Sequence, residues 1–167
     1  MEKNIQVAIV MGSKSDWPVL EHTVETLKKF GIESTVRIMS AHRTPHEAAE
    51  FAENAAQNGI KIIIGAAGGA AHLAGVLAGH TTLPVIGIPV KGWALDGMDS
   101  LLATVQMPKG VPVATVAIGK AGAINAAVLS AQILALSNPE LQEKLKKFKQ
   151  TMAEEVRKAD AELQAEL

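Results

Sequence analysis

Residues 60–66 of this chain read IKIIIGA, a nearly continuous apolar run. Such a run suits a strand buried on both faces, and strands of that kind belong to parallel sheets covered by helices on each side. The rest of the chain repeats the pattern around it. Ile5–Met11 (IQVAIVM) and residues 33–39, 84–89 and 112–118 are short runs rich in β-branched residues, which read as strands. Between them lie segments of helical periodicity. One runs over 16–30 and ends at Gly31, another opens on Pro45 and stops at Gly59, and two more cover 70–78 and 98–105. This strand–helix alternation predicts an α/β fold, an open, doubly wound parallel sheet with helices on both faces.

A length of 167 residues supports a single domain with a real core. Between Asn58 and Ser137 the only charged residues are Lys61, Lys91, Asp96, Asp99, Lys109 and Lys120. The segments 70–79 and 121–136 are therefore apolar on all sides, and a helix of that kind needs cover all round. One sheet domain has too little interior for two of them, so a homo-oligomer is expected. Residues 137–167 differ: Leu141, Leu145, Phe148, Met152, Val156 and Leu163 form one apolar stripe among many Lys and Glu. They read as a helical extension that packs on the domain or on a neighbouring subunit. The cluster Lys144, Lys146, Lys147 and Lys149 is balanced by acids in the same helix and reads as a solvated face.

Composition excludes several function classes. A formal net charge of −1, no Tyr, two Trp and three Phe give neither the field nor the stacking surface for nucleic acid. The absence of Cys removes disulfides, thiolate metal sites and cysteine nucleophiles. The first residues lack the cationic start and long apolar core of a secretory leader, and 121–136 is too short to span a bilayer. A cytoplasmic protein that meets no membrane is expected.

The chemistry gathers where strands are expected to end, and in a parallel sheet those ends share one edge, where ligands bind. After the first strand comes Gly12-Ser13-Lys14-Ser15-Asp16. Free backbone N–H groups at the following helix start attract phosphate. Ser13 and Ser15 can donate to it, and Asp16 can accept from ribose hydroxyls. The same segment also reads as a plain helix cap, with Ser15 or Asp16 doing only local work. After the second strand comes Ser40-Ala41-His42-Arg43-Thr44-Pro45. An imidazole there suits proton transfer in both directions, and Arg43 suits bidentate binding of phosphate or carboxylate. After the third comes Gly68-Gly69-Ala70-Ala71-His72-Leu73, whose small residues let a ligand approach the backbone closely. A tight turn would explain its Gly and Ala but not His72. His22 and His80 read as structural and His46 as an exposed first-turn residue. No spacing matches a metal site or a serine-nucleophile elbow.

With these segments in place the chain resembles the N5-carboxyaminoimidazole ribonucleotide mutase (PurE, class I) family over residues 7–136. The resemblance is carried by MGSKSDW at 11–17, SAHRTP at 40–45 and GGAAHL at 68–73. It continues through DSLLATVQMPKGVPVATVAIG at 99–119 and NAAVLSAQILAL at 125–136. Ala66 and Ala74 stand where the family more often has Gly and Pro, and residues 91–95 (KGWAL) match less closely and contribute no site residue.

The resemblance implies a three-layer flavodoxin-like (Rossmann-like) fold, a homo-octamer and no metal or other cofactor. The implied reaction moves a carboxyl group from the exocyclic nitrogen of a small ribonucleotide to ring carbon 4. By position, His42 corresponds to the general acid/base. Ser13, Asp16, Ser40 and Arg43 correspond to substrate contacts, with Arg43 near the phosphate. Gly68, Ala70 and Leu73 correspond to the third-loop lining, with His72 close by. A relative that carboxylates aminoimidazole ribonucleotide directly with CO2 shares this site chemistry.

Overall fold

The computed structural model describes residues 5–92 and 94–167. The first four residues, read above as lacking a leader's cationic start, and Trp93 in the 91–95 segment lie outside the described residues. Five parallel strands form one sheet in the order β2-β1-β3-β4-β5: β1 (Ile5–Met11), β2 (Glu33–Ile38), β3 (Ile62–Gly68), β4 (Val85–Val90) and β5 (Ala114–Thr115). This is the doubly wound flavodoxin-like arrangement, and its order reverses between β1 and β3. The crevice at such a switch point, beyond the carboxyl ends of the strands, is where open α/β sheets bind ligands.

The central strands β1, β3 and β4 are buried along most of their length, as their apolar runs require. Side chains alternate across them. Ala8, Val10, Ile63 and Val85 pack with Ala48 and Ala52 of α2 (Pro45–Asn54) and with Leu73, Ala74 and Leu77 of α3 (Leu73–Gly79). Alternation turns Val7, Ile9, Ile62 and Ile64 to the opposite layer, that of α1 (Trp17–Phe30). There the buried Thr23 hydroxyl donates to the Ala123 carbonyl at 2.9 Å, tying α1 to the start of α5 (Lys120–Ala135). Helix α4 (Met98–Val105) lies on the α3 side, with Thr104 against Gly87 of β4.

Several boundaries differ from the sequence expectation, each for a local reason. Helix α1 does stop at Gly31, whose left-handed φ of 78° lets its N–H reach back to the Leu27 and Lys28 carbonyls. Helix α2 ends earlier than expected, at Asn54. The chain closes there in turns, and the Ile60 N–H bonds back to the Ala55 carbonyl at 3.1 Å, so β3 begins at Ile62 rather than 60. Helix α3 starts at Leu73 rather than 70 because Gly69–His72 is taken up by two successive tight bonds. These run from the Ala71 N–H to Gly69 O and from the His72 N–H to Ala70 O, each 2.8 Å. Strand β5 shrinks to two residues; Pro112 has no N–H to offer. Beyond it the Val116 and Gly119 amides still follow β4, bonding Gly87 O and Pro89 O.

The compact units divide at Ser130, within α5, and the second unit is Ala131–Leu167. It contains α6 (Pro139–Glu166), whose N-cap Asn138 accepts from the Leu141 amide at 3.1 Å. Among the described residues no helix is long and apolar enough to cross a membrane.

Large exposed apolar side chains lie only in part where the sequence expectation put them. Residues 73–78 are buried or half-buried within the single chain. The exposed ones include Leu136 at the end of the 121–136 segment and Met152, Val156 and Leu163 of the α6 stripe, together with Leu95, Met98, Leu102 and Val105, which the expectation did not name. Met98, Leu102 and Val105 recur at helical spacing and form one face of α4.

Candidate active site

The turns after β1, β2 and β3 meet at the switch point and enclose a cleft of about 700 Å³. Each of the three expected segments reaches its wall: Ser13 and Asp16 from the first, Ser40, His42 and Arg43 from the second, Gly68, Ala70, His72 and Leu73 from the third. All nine expected site residues therefore face one cavity. His22 and His80 lie outside it, paired with Glu25 and Glu53 respectively.

The first turn is built as a cap, and the same residues cradle one end of the cleft. Ser13, not Ser15 or Asp16, caps the 3-10 turn Lys14–Asp16. Its Oγ accepts from the Ser15 amide while the Asp16 carboxylate accepts from the Ser13 amide at 3.2 Å. Asp16 itself makes no side-chain bond to the start of α1. It is 8 % exposed, and burial pushes its carboxyl above the ordinary 3.8, only partly offset by the Ser13 N–H. Asp16 thus presents a little-hydrated acceptor to the cleft.

The second turn is organised by Ser40. Its Oγ accepts from the His42 and Arg43 amides at 3.4 and 3.2 Å and from Arg43 Nε at 3.4 Å. Thr44 closes the loop, accepting from the Ser40 amide at 2.8 Å and donating to the Ser40 carbonyl at 3.2 Å. Arg43 then crosses to the first turn, where Nη2 donates to the Gly12 carbonyl at 3.0 Å. This holds the guanidinium beside the Ser13–Asp16 cradle, so a phosphate there meets a fixed cation and two hydroxyls.

The third turn brings the second imidazole. His42 Nε2 and His72 Nδ1 are 2.9 Å apart, and the rings meet edge to face with centroids 4.9 Å apart. One nitrogen must carry the hydrogen that the other accepts, so each ring fixes the tautomer of its partner. The pair sits at the cleft wall beside Gly68, Ala70 and Leu73, which offer only small or apolar surface. The cleft thus brings together a guanidinium, serine hydroxyls, a carboxylate and an imidazole pair against an apolar wall. Among the described residues no cluster of His, Asp and Glu is arranged to hold a metal ion.

Two wall residues come from the stretch that sequence comparison set aside. Lys91 and Gly92 line the cleft just past β4, and Lys91 is ion-paired with Asp96, which lowers the Asp96 carboxyl pKa. Their position was available from topology, since β4 ends on the same edge as β1 and β3.

A family model described as AIR carboxylase matches residues 6–155. A Pseudomonas aeruginosa relative is 55% identical over 150 residues, covering 90% of this chain and 92% of its own. Relatives from Vibrio cholerae and Escherichia coli are each 51% identical and also cover 90% of this chain, and 93% and 89% of their own lengths. All three carry the name N5-carboxyaminoimidazole ribonucleotide mutase. A crystal structure of Treponema denticola PurE superposes with a TM-score of 0.85 at 31% identity, covering 95% of this chain and 98% of that one. The chain belongs to the AIR carboxylase family.

Proposed function

We propose that this chain is an N5-carboxyaminoimidazole ribonucleotide mutase of purine synthesis, an isomerase that yields 4-carboxy-5-aminoimidazole ribonucleotide. The observation that carries the chemistry is the His42–His72 pair at 2.9 Å, set on an apolar wall across from a phosphate-ready cradle. Ser13 and Arg43 hold the phosphate, Ser40 holds the Arg43 side chain and backbone in place, and Asp16 accepts from the ribose hydroxyls. The imidazole ring then lies toward His42, with its carboxyl group against Gly68, Ala70 and Leu73.

His42 donates a proton to the exocyclic nitrogen as the nitrogen–carboxyl bond breaks, releasing CO2 and a neutral amine. Carbon 4 attacks the retained CO2 to form the new carbon–carbon bond. The hydrogen on carbon 4 leaves as a proton to His42, which ends as it began. His72 keeps the His42 ring in the orientation that serves both transfers. An apolar wall strips water from the carboxylate and favours its departure. Holding CO2 beside carbon 4 makes recapture effectively unimolecular, where effective molarities reach about 10⁵ M and more. None of these steps calls on a metal or other cofactor.

We further propose a cytoplasmic homo-octamer. Leu95, Met98, Leu102 and Val105, and the outer part of the α6 stripe, support assembly because they are exposed in the single chain. The extension over 137–167 would then pack on the domain or on a neighbouring subunit.

The test offers purified protein the N-carboxylated ribonucleotide, and separately the uncarboxylated one with bicarbonate. Rapid formation of the carbon-carboxylated product only from the former is expected. Rapid conversion of the latter would assign the direct carboxylase instead, and no conversion of either would leave a nucleotide-binding domain.

A further inference from the structure

Outside the cleft, one buried hydroxyl joins two of its walls. Ser100, in the first turn of α4, is 0 % exposed. Its Oγ accepts from the Gly69 amide at 2.8 Å and donates to the Val90 carbonyl at 2.7 Å. Those partners are the first residue past β3 and the last residue of β4, where the two strands run backbone against backbone into their turns. A Cβ on Gly68 would lie 3.2 Å from Val90 O, and one on Gly92 would lie 3.1 Å from Gly69 N. Only a group that donates and accepts at once can satisfy an amide and a carbonyl from a single atom. Ser100 is itself anchored: its carbonyl accepts from Thr104 Oγ1 at 2.7 Å, and its amide donates to Asp99 Oδ1 at 2.9 Å. From the pinned Gly69 the chain makes its two tight bonds and arrives at His72, which meets His42.

We propose that Ser100 is a positioning residue for the carboxyl transfer: a pin that locks the 69–72 turn against the turn after β4 and so seals CO2 beside carbon 4. This rests on the mutase reading above. Ser100 acts through Gly69 and touches no substrate. Without its hydroxyl the Gly69 N–H and Val90 C=O lose their shared partner while still buried, a state that draws water between the turns. The loosened turn lets His72 withdraw from His42. CO2 then escapes after the nitrogen–carboxyl bond has broken and the nitrogen has taken its proton, leaving uncarboxylated aminoimidazole ribonucleotide. The phosphate end, held by Ser13 and Arg43, is unaffected.

The experiment gives wild type, Ser100→Ala, Ser100→Cys and Ser100→Thr the N-carboxylated ribonucleotide. It records kcat, KM and the enzyme-dependent yield of uncarboxylated product after subtraction of uncatalysed decay. Ser100→Ala should lower kcat roughly tenfold or more with KM within about threefold, and raise the leaked fraction. Ser100→Thr, which keeps the hydroxyl, should restore both, and the near-isosteric Ser100→Cys should fall between; it replaces Ser100→Ala in the comparison should that variant not fold. A folded Ser100→Ala or Ser100→Cys with wild-type kcat and no added leakage overturns the proposal. Loss of kcat with no rise in leakage overturns it equally, since a general structural defect would do that. A wild type that converts nothing would instead overturn the mutase reading on which it rests.

Discussion

Asp16 belongs at once to the cap of the first turn and to the wall of the cleft. Burial raises its carboxyl pKa above 3.8, the main influence, while the Ser13 N–H pulls it down. A carboxyl whose folded pKa is raised holds its proton more tightly folded than unfolded. Its ionised form therefore costs stability above the folded pKa, and that cost fades as pH falls through it. Asp16→Asn keeps an acceptor for the Ser13 amide and removes the buried charge. Thermal melts should show a higher Tm for the variant at pH 7, with the gain shrinking toward pH 3. Its KM should rise about ten- to a hundredfold, because hydrogen bonds to a charged group contribute about 1.5–3 kcal/mol. At this scale the sequence was most legible where residues are local: Ser13, Asp16, Ser40, His42 and Arg43 sit in short runs after strands, and the structure brings those runs to one cleft. The bond between His42 and His72 was not legible. Thirty residues separate them, and only the neighbouring of β1 with β2 and β3 brings their turns together. Ser100 was hidden for the same reason, as a small polar residue in an otherwise helical run.

Among the elements, close approach of helix to sheet sets the positions of the turns. Gly65, in the middle of β3, lies under α3, and a Cβ there would stand 2.9 Å from the Ala74 Cα. Backbone cannot yield as a flexible side chain does, so Gly65→Ala should destabilise the protein by about 1–3 kcal/mol. Denaturant titration should register this as a lower midpoint with an unchanged slope. Strand and helix types were legible because period and length agree: β1, α1, α4 and α5 fall within a residue of expectation. The start of α3 and the extent of β5 were not. Apolar Gly-Ala runs carry no period to mark where a helix begins, and the 69–72 turn satisfies its own amides first. Pro112 removes a donor from what otherwise looks like a full strand.

For the whole molecule, the sparse charge between residues 58 and 137 pointed to assembly, and Leu136 at the end of that stretch is exposed. The chain covers most of α3 itself, and the bare apolar face is that of α4. The fold hides a helix of small residues easily, whereas Met98, Leu102 and Val105 project beyond its reach. Light scattering should give a mass eight times the 17.5 kDa of one chain, and Leu102→Glu should lower that mass by placing a charge in the contact. A wild-type monomer would contradict the assembly.

The central claim is that the carboxyl group migrates within one cleft without mixing with solvent CO2. The direct measurement supplies substrate labelled with ¹³C in its nitrogen-bound carboxyl, in excess unlabelled bicarbonate, and follows the label in the carbon-carboxylated product. Retention of the label in nearly every product molecule is the expected result. Dilution of the label to the level of dissolved CO2 would contradict the account.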